Sequence, residues 1–286
     1  MKPSGYNVSL IADSINPVGN RLTTFELTYP RFVHAQLMTH RLFSRNAASS
    51  RAIPTKKLID RVLENPVMPL FWGKNQSGMQ AQEELQGADK ERAIDEWLIA
   101  RLEACKAARR LLELGVHKQI VNRVIEPWMF ITVIVSATEY ENWFHLRQKD
   151  AQPEIAWVAG EMHELYTSRV PKELKLGEWH LPYVELEDKH SPLYVDFRDT
   201  TLSRASILRG ISTARCARVS YLTHDGKRDP AADIALHDRL AESGHWSPFE
   251  HVAEAFANRS FRSGNFFGWR QYRKLFENEH YGRMMQ

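Results

Sequence analysis

Residues 6–12 and 22–29 alternate apolar with polar positions or run through β-branched residues, and that period of two predicts strands. Pro30 can take the first turn of a helix, and Phe32, Val33, Leu37 and Met38 carry its apolar positions toward about Asn46. A shorter helix is expected over 55–64, in a loop-rich stretch punctuated by Pro54, Pro66 and Pro69. From about Asp89 to Leu114 the apolar spacing becomes three and four. It sets Ile94, Leu98, Leu102, Cys105, Ala108 and Leu112 on one helical stripe. Gly115 ends that helix, and another is expected over 117–125 before Pro127. The run from Trp128 to Val135 is apolar on both faces and β-rich, which reads as a buried strand or a helix-to-strand transition. Helices follow near 138–147 and 153–170, then a surface connection rich in Pro, Glu and Lys over 171–190. The rest predicts helices near 203–215 and 229–243, a strand near 251–257, and a helical, aromatic, basic tail over the last 25 residues.

Composition narrows the picture. At 286 residues the chain can bury a full core, as one elaborated domain or two small ones. Its 38 basic and 35 acidic residues leave a net charge of +3, too weak a field for nucleic-acid binding driven by bulk charge. A local anion pocket remains open. No apolar run approaches the roughly 20 residues of a membrane span, and the first residues lack the apolar core of a signal peptide. Cys105 and Cys216 are too few for a disulfide framework, so a reducing, cytoplasmic compartment is expected. Cys105 lies on the apolar stripe and reads as a small buried hydrophobe. The 12 histidines do not form a two-His i/i+4 pair with a third ligand nearby, so no metal centre is expected.

The densest chemistry lies at residues 40–51, His-Arg-Leu-Phe-Ser-Arg-Asn-Ala-Ala-Ser-Ser-Arg. Small hydroxyl residues let backbone N–H groups approach a phosphate closely, and guanidinium forks bind it bidentately. Ser49, Ser50 and Arg51 are therefore candidate phosphate ligands. A second segment, Gly244-His-Trp-Ser-Pro-Phe-Glu-His251, reads locally as a helix start. Ser247 would cap it, Pro248 would take the first position and Glu250 would reach back as a capping box.

His40-Arg41, seven residues and then Ser49 resemble the Arg-His-Arg-x7-Ser signature of the flavin-dependent thymidylate synthases, with Thr39 in place of the first Arg. Three further segments resemble the same family. The pair Ala217-Arg-Val-Ser220 and Gly244–His251 is similar to a pair that family members carry near the N-terminus, and here it follows the signature. The chain thus looks like a rearranged, phage-type member. The stretch from Gly115 to Pro127 resembles Gly-Val-x-x-Glu-x-Ala-Arg-x-Val-Leu-Pro. Counting back from Pro127 puts the family's phosphate-binding Arg on Arg123; counting forward from Gly115 puts it on Asn122, which cannot supply the charge. Ser136 to Arg147 keeps Asn142 and Arg147 of the family's pattern but replaces its Asn and Arg with Ser136 and Thr138. The resemblance touches residues 22–171 and 211–257.

The resemblance implies an α/β (α+β) fold with an antiparallel or mixed sheet flanked by long helices. Residues 1–190 would form the signature and nucleotide region, and 191–286 the flavin-type region, packed into one domain. It implies one-carbon transfer to C5 of a deoxypyrimidine monophosphate, most simply dUMP to dTMP, in a homotetramer. FAD is the implied cofactor, with NADPH and 5,10-methylenetetrahydrofolate as co-substrates and no cysteine nucleophile. Ser49, Ser50, Arg51, Arg123 and Arg147 would bind substrate, and Ser49 and Arg147 would take part in catalysis. His40, Arg41, Asn142, Ser220, His245, Ser247 and Glu250 would hold flavin, and Arg270 or Arg273 could replace the arginines lost at Thr39 and Thr138. Those losses, and Ala47 where typical members are acidic, keep open a pyrimidine hydroxymethylase or other modified-nucleotide synthase of the same family; a further alternative is a non-catalytic flavin- or nucleotide-binding module.

Overall fold

The structure, a computed structural model, describes residues 2–148, 151–189, 203–220 and 229–279. The elements in chain order are β1 (Asn7–Ile15), β2 (Arg21–Pro30), α1 (His34–Met38), β3 (Ser44–Ala47), α2 (Thr55–Glu64) and α3 (Gly87–Glu113). They continue with α4 (Lys118–Val121), β4 (Phe130–Ala137), α5 (Glu141–Arg147), α6 (Pro153–Ser168), β5 (Lys172–Glu173), β6 (Trp179–His180) and α7 (Leu186–Lys189). Two further helices, Arg204–Ala217 and Pro230–Glu242, precede the short strands β7 (Ala253–Ala255), β8 (Arg262–Ser263), β9 (Phe266–Phe267) and β10 (Trp269–Gln271).

The main sheet has the order β3-β4-β2-β1-β5. All its pairs are antiparallel except β1 with β5. It is the mixed sheet expected of an α/β protein. A register shift between Leu10 and Ala12 marks a bulge in β1. Because side chains alternate along a strand, its two faces differ. One face presents Phe25, Leu27, Tyr29, Val133 and Val135, which are buried against Ile155, Val158 and Met162 of α6 and the rings of Tyr140 and Trp143. The other presents Thr24, Ser136, Ser44 and Asn46, and the chain after residue 172 covers it with polar side chains.

That second interface is a buried chain of hydrogen bonds. Ser14 meets His180 at 2.9 Å, His180 meets Thr24 at 2.8 Å, Thr24 meets Ser136 at 2.6 Å, and Ser136 meets His251 at 2.8 Å. Burial holds both imidazoles neutral, with pKa values of about 3. A second sheet, β10-β7-β6, stands behind it, with Trp269, Phe266 and Ala253 packed on Leu22.

Several sequence expectations change on contact with tertiary structure. The helix after Pro30 ends at Met38 rather than near Asn46, and Ser44–Ala47 instead pairs with the free edge of β4. Arg45 explains the stop: its guanidinium donates to the carbonyls of Met38 at 2.9 Å and His40 at 3.2 Å, which a longer helix would have used itself. The helix expected over 117–125 is one turn of α helix followed by a 3-10 stretch, Asn122–Trp128, which accommodates Pro127. On α3 the stripe holds at Cys105 and Ala108, but Leu102 is exposed. The C-terminal tail is not helical through residue 279: it forms a hairpin, a strand and short 3-10 turns. Gly264 has φ +60 in the Gly-Asn turn of that hairpin, and a Cβ there would stand 2.2 Å from Gln271 Oε1. Residues 280–286 of the expected helix lie outside the described residues.

Candidate active site

The turn after α1 and the start of α5 enclose a cavity of about 190 Å³ lined by Thr39, His40, Arg41, Asn142, Trp143 and Arg147, among others. The fold brings these together because β3 and β4 are antiparallel neighbours with Ser44 opposite Ser136, so the segment entering β3 lies beside the segment leaving β4. Arg147 Nε donates to His40 Nε2 at 3.1 Å, and its Nη2 donates to Thr39 Oγ1 at 3.1 Å. The accepting Nε2 leaves the proton of neutral His40 on Nδ1. Burial first, then the positive charges of Arg147 and Arg45, lower the His40 pKa and favour that neutral form. The Trp143 ring meets His40 edge-on at 4.8 Å, and Phe43 stacks on His40 at 5.7 Å.

Three groups at this cavity lack partners among the described residues. Arg41 and Asn142 are exposed and make no hydrogen bond, and the buried Trp143 Nε1–H has no acceptor. A buried donor left unpaired costs about 1–3 kcal/mol, so this wall is better suited to a bound polar ring than to an empty fold.

The phosphate-type loop follows β3. Ala52 N donates to the Ser49 carbonyl at 3.0 Å, closing a turn that carries Ser50 and Arg51. Asn122, fully buried, fixes this turn by donating to the carbonyls of Ser50 at 2.7 Å and Ile53 at 3.0 Å. Arg123, the next residue, points outward to Glu126 at 2.6 Å. The two registers of the resemblance thus fall on residues with different tasks, Asn122 positioning the loop and Arg123 carrying charge beside it. Arg51 is exposed and makes no hydrogen bond or ion pair among the described residues. Ser50, in contrast, is buried and donates to Glu126 Oε1 at 3.1 Å.

The flavin-type segment does not make the capping box expected of it. Ser247 Oγ donates to Asn46 Oδ1 at 3.3 Å, and Glu250 accepts from Arg273 at 2.5 Å within a 3-10 turn. Arg270 pairs with Glu254, and Arg273 reaches Glu279 at 3.3 Å as well. His245 is exposed and meets the Ser243 hydroxyl at 3.2 Å. The side chain of Ser220 lies outside the described residues. The segment therefore docks on β3 through Ser247 and Asn46, while its charges are spent on one another.

Sequence reasoning missed several groups: Thr39 and Gln36 beside Arg147, Trp143 as the cavity wall, Arg45 as the clamp on the signature turn, and Arg31 beside Glu126. Trp143 and Thr39 had local signals, since they adjoin Asn142 and His40. Both cysteines are buried, and burial raises both thiol pKa values, so neither is poised as a thiolate.

A flavin can be tested against these residues. The orphaned Trp143 indole N–H, the free Asn142 amide and the free Arg41 guanidinium suit a polar heteroaromatic ring carrying phosphate. At about 190 Å³ the space is below the roughly 300–1,000 Å³ that encloses a drug-sized ligand. It seats one part of such a cofactor, not the whole.

Among curated proteins none matches the chain in sequence. A UMP/dUMP methylase, PolB from Streptomyces cacaoi bound with 5-Br dUMP, is similar at 19% identity over 53% of this chain and 68% of that chain, with a TM-score of 0.42. The same methylase bound with 5-Br UMP is similar at 18% identity over 58% of this chain and 90% of that chain, with a TM-score of 0.44. The family model described as thymidylate synthase complementing protein matches residues 20–172, more than half of the chain, spanning the signature turn, the phosphate-type loop, Arg123 and Arg147. The chain therefore belongs to the thymidylate synthase complementing protein family and is a thymidylate synthase-like methyltransferase.

Proposed function

We propose that the chain transfers a one-carbon unit to C5 of a deoxypyrimidine monophosphate, most simply converting dUMP to dTMP, with FAD as cofactor and methylenetetrahydrofolate and NADPH as co-substrates. The observation that carries this reading is the 190 Å³ cavity, in which His40 and Arg41 meet Asn142 and Arg147 from more than a hundred residues away. Methylating C5 requires holding the phosphate, polarising the ring and excluding water from the reacting face. Ser49 and Arg51 would hold the phosphate through charge-assisted hydrogen bonds, with Arg123 beside them. Arg147, released from His40 and Thr39, would donate to a pyrimidine carbonyl and stabilise negative charge that develops on the ring. Asn142, Arg41 and the Trp143 indole would hold the flavin, which when reduced supplies the hydride. Ser247, Glu250, Arg270 and Arg273, already paired within the C-terminal region, would close over this site as a cover, in the same subunit or a neighbouring one of a homotetramer.

The test is product analysis. Purified protein incubated with methylenetetrahydrofolate, FAD and NADPH is expected to convert dUMP to dTMP, identified by mass, with dCMP, whose C5-methylated product would be 5-methyl-dCMP, run in parallel. A hydroxymethyl product would select the hydroxymethylase alternative. No mass change with either nucleotide, from protein that binds flavin, would select the binding module.

A further inference from the structure

Glu126 stands where the family pattern has an apolar residue before its Pro, and three donors converge on one of its oxygens. Arg123 Nη1 lies 2.6 Å from Oε1, Arg31 Nε lies 2.9 Å away, and Ser50 Oγ donates at 3.1 Å. Oε2 makes no hydrogen bond among the described residues. An oxygen receiving two guanidiniums and a hydroxyl is the arrangement a phosphate oxygen would adopt in the same place.

We propose that Glu126 is an internal counter-anion that competes with an incoming phosphate for Arg123 and Arg31, and so sets how tightly this site holds phosphate. The proposal rests on the reading that the Ser49–Arg51 loop and Arg123 bind the nucleotide's phosphate, and it adds a specificity-determining residue to that site. The charge balance gives it direction. Two arginines against one carboxylate leave one net positive charge for the ligand. Without the carboxylate they offer two, matching the roughly −1.5 to −2 of a phosphate monoester at neutral pH. Geometry adds to this. Glu126 is only a quarter exposed and lies within the 3-10 stretch Asn122–Trp128, whose first residue, the buried Asn122, is tied to the loop carbonyls of Ser50 and Ile53. A phosphate must share them or displace it. The Arg51 guanidinium, which has no such partner, is the group left to make first contact.

The experiment titrates the full chain with dUMP and, separately, with inorganic phosphate, comparing wild type, Glu126→Gln, Glu126→Leu and Arg123→Ala. Glu126→Gln keeps the shape and removes the charge, and Glu126→Leu restores the family's residue should the Gln variant fail to fold. Both are expected to bind dUMP and phosphate about tenfold more tightly than wild type, and Arg123→Ala more weakly. Equal or weaker binding of both ligands by a folded Glu126 variant overturns the proposal: the carboxylate would then serve to orient the arginines. Tighter phosphate binding with no dUMP binding by any form keeps the role of Glu126 and removes the nucleotide reading. Failure of every form to bind either anion overturns both.

Discussion

Around His40, Arg41 and Asn142 have no hydrogen-bond partner among the described residues, and a buried indole N–H of Trp143 faces none either. Around Glu250 the charged groups are paired, while the buried His251 Nε2 next to it has no hydrogen-bond partner among the described residues. Glu250 has Arg273, Arg270 has Glu254, and Ser247 has Asn46. Both regions carry residues that resemble the same family's flavin contacts, so the motifs alone would weigh them equally. Their partner accounts do not. Polar groups whose bonds are made hold the fold together; polar groups left waiting are the ones a ligand can use. The cavity beside His40 therefore offers unpaired groups to a ligand, as the proposed function requires, and the C-terminal region covers the polar face of the sheet.

The largest expected effect breaks the molecule along that division. The cover is fastened through His180 and His251, both held neutral by burial with pKa values of about 3, against an ordinary 6.5. His34, shifted to about 4 by burial and by Arg31 and Arg45, adds to the same slope from the other side of the sheet. Because the folded pKa is depressed, the unfolded chain takes up protons that the folded chain refuses. Stability is therefore complete above pH 6.5 and falls as the pH drops from there toward about 3, by up to about 1.4 kcal/mol per pH unit per ring. Urea midpoints followed by tryptophan fluorescence should decline between pH 6.5 and 5, before most carboxylates titrate. A flat midpoint over that range would mean that the rings are solvated and the cover is loosely held.

Next comes the cavity itself. Arg147→Ala is expected to cut turnover about 10²–10³-fold, the usual cost of removing a donor aimed at developing charge. The fold should survive, since Arg147 ends a short helix and its bonds to His40 and Thr39 lie at the cavity edge. Thermal melting alongside steady-state product formation separates the two effects. A loss below tenfold in a folded variant would mean that the reacting ring sits elsewhere.

How much of this was legible in the sequence follows the same line. Period two found β1 and β2, period three to four found α3, and the limits of α2 are those expected. Signals of that kind are local. The strand Ser44–Ala47 was not legible, because a four-residue segment becomes a strand only when the edge of β4 offers it partners and Arg45 stops the preceding helix. The C-terminal hairpin did leave a sign, the Gly264-Asn265 turn, but the aromatic and basic residues around it suggested a helix more loudly. At the site, the motif residues His40, Arg41, Asn142 and Arg147 do share one cavity. Hidden from the sequence was which charges would already be paired over a distance: the i,i+3 spacing of Arg123 and Glu126 is a local sign, but nothing local announces that Arg31 joins them or that Arg273 meets Glu250.

Arg51 sharpens the comparison at intermediate strength. It is the exposed and unpaired guanidinium of the phosphate-type loop. Its replacement by Ala should weaken dUMP binding by about 1.5–3 kcal/mol, the worth of a hydrogen bond to a charged group, without moving the melting temperature. Calorimetric titration reads this directly, and unchanged affinity would remove Arg51 from the site.

The smallest effect is expected where sequence resemblance alone would have placed a large one. Arg270 and Arg273 could stand in for the guanidiniums that Thr39 and Thr138 lack, and as free charges they would be costly to remove from a site that binds an anionic cofactor. Neither is free. Arg270 is paired with Glu254 across the β7–β10 ladder, and Arg273 with Glu250 and Glu279. Their side chains are 37% and 27% exposed, so solvent screens these pairs and each is worth at most about 1 kcal/mol. To reach a flavin phosphate, either arginine would first have to leave its carboxylate, and the gain from one pairing would be offset by the loss of the other. Arg270→Ala and Arg273→Ala are therefore expected to change flavin affinity less than about threefold, roughly half the energy of a tenfold change, while lowering the melting temperature slightly. Fluorescence titration of FAD measures the first and thermal melting the second. A tenfold loss of flavin affinity in either variant, at unchanged melting temperature, would mean that the carboxylates give way when ligand arrives. The engaged cluster would then be as much a part of the site as the open cavity.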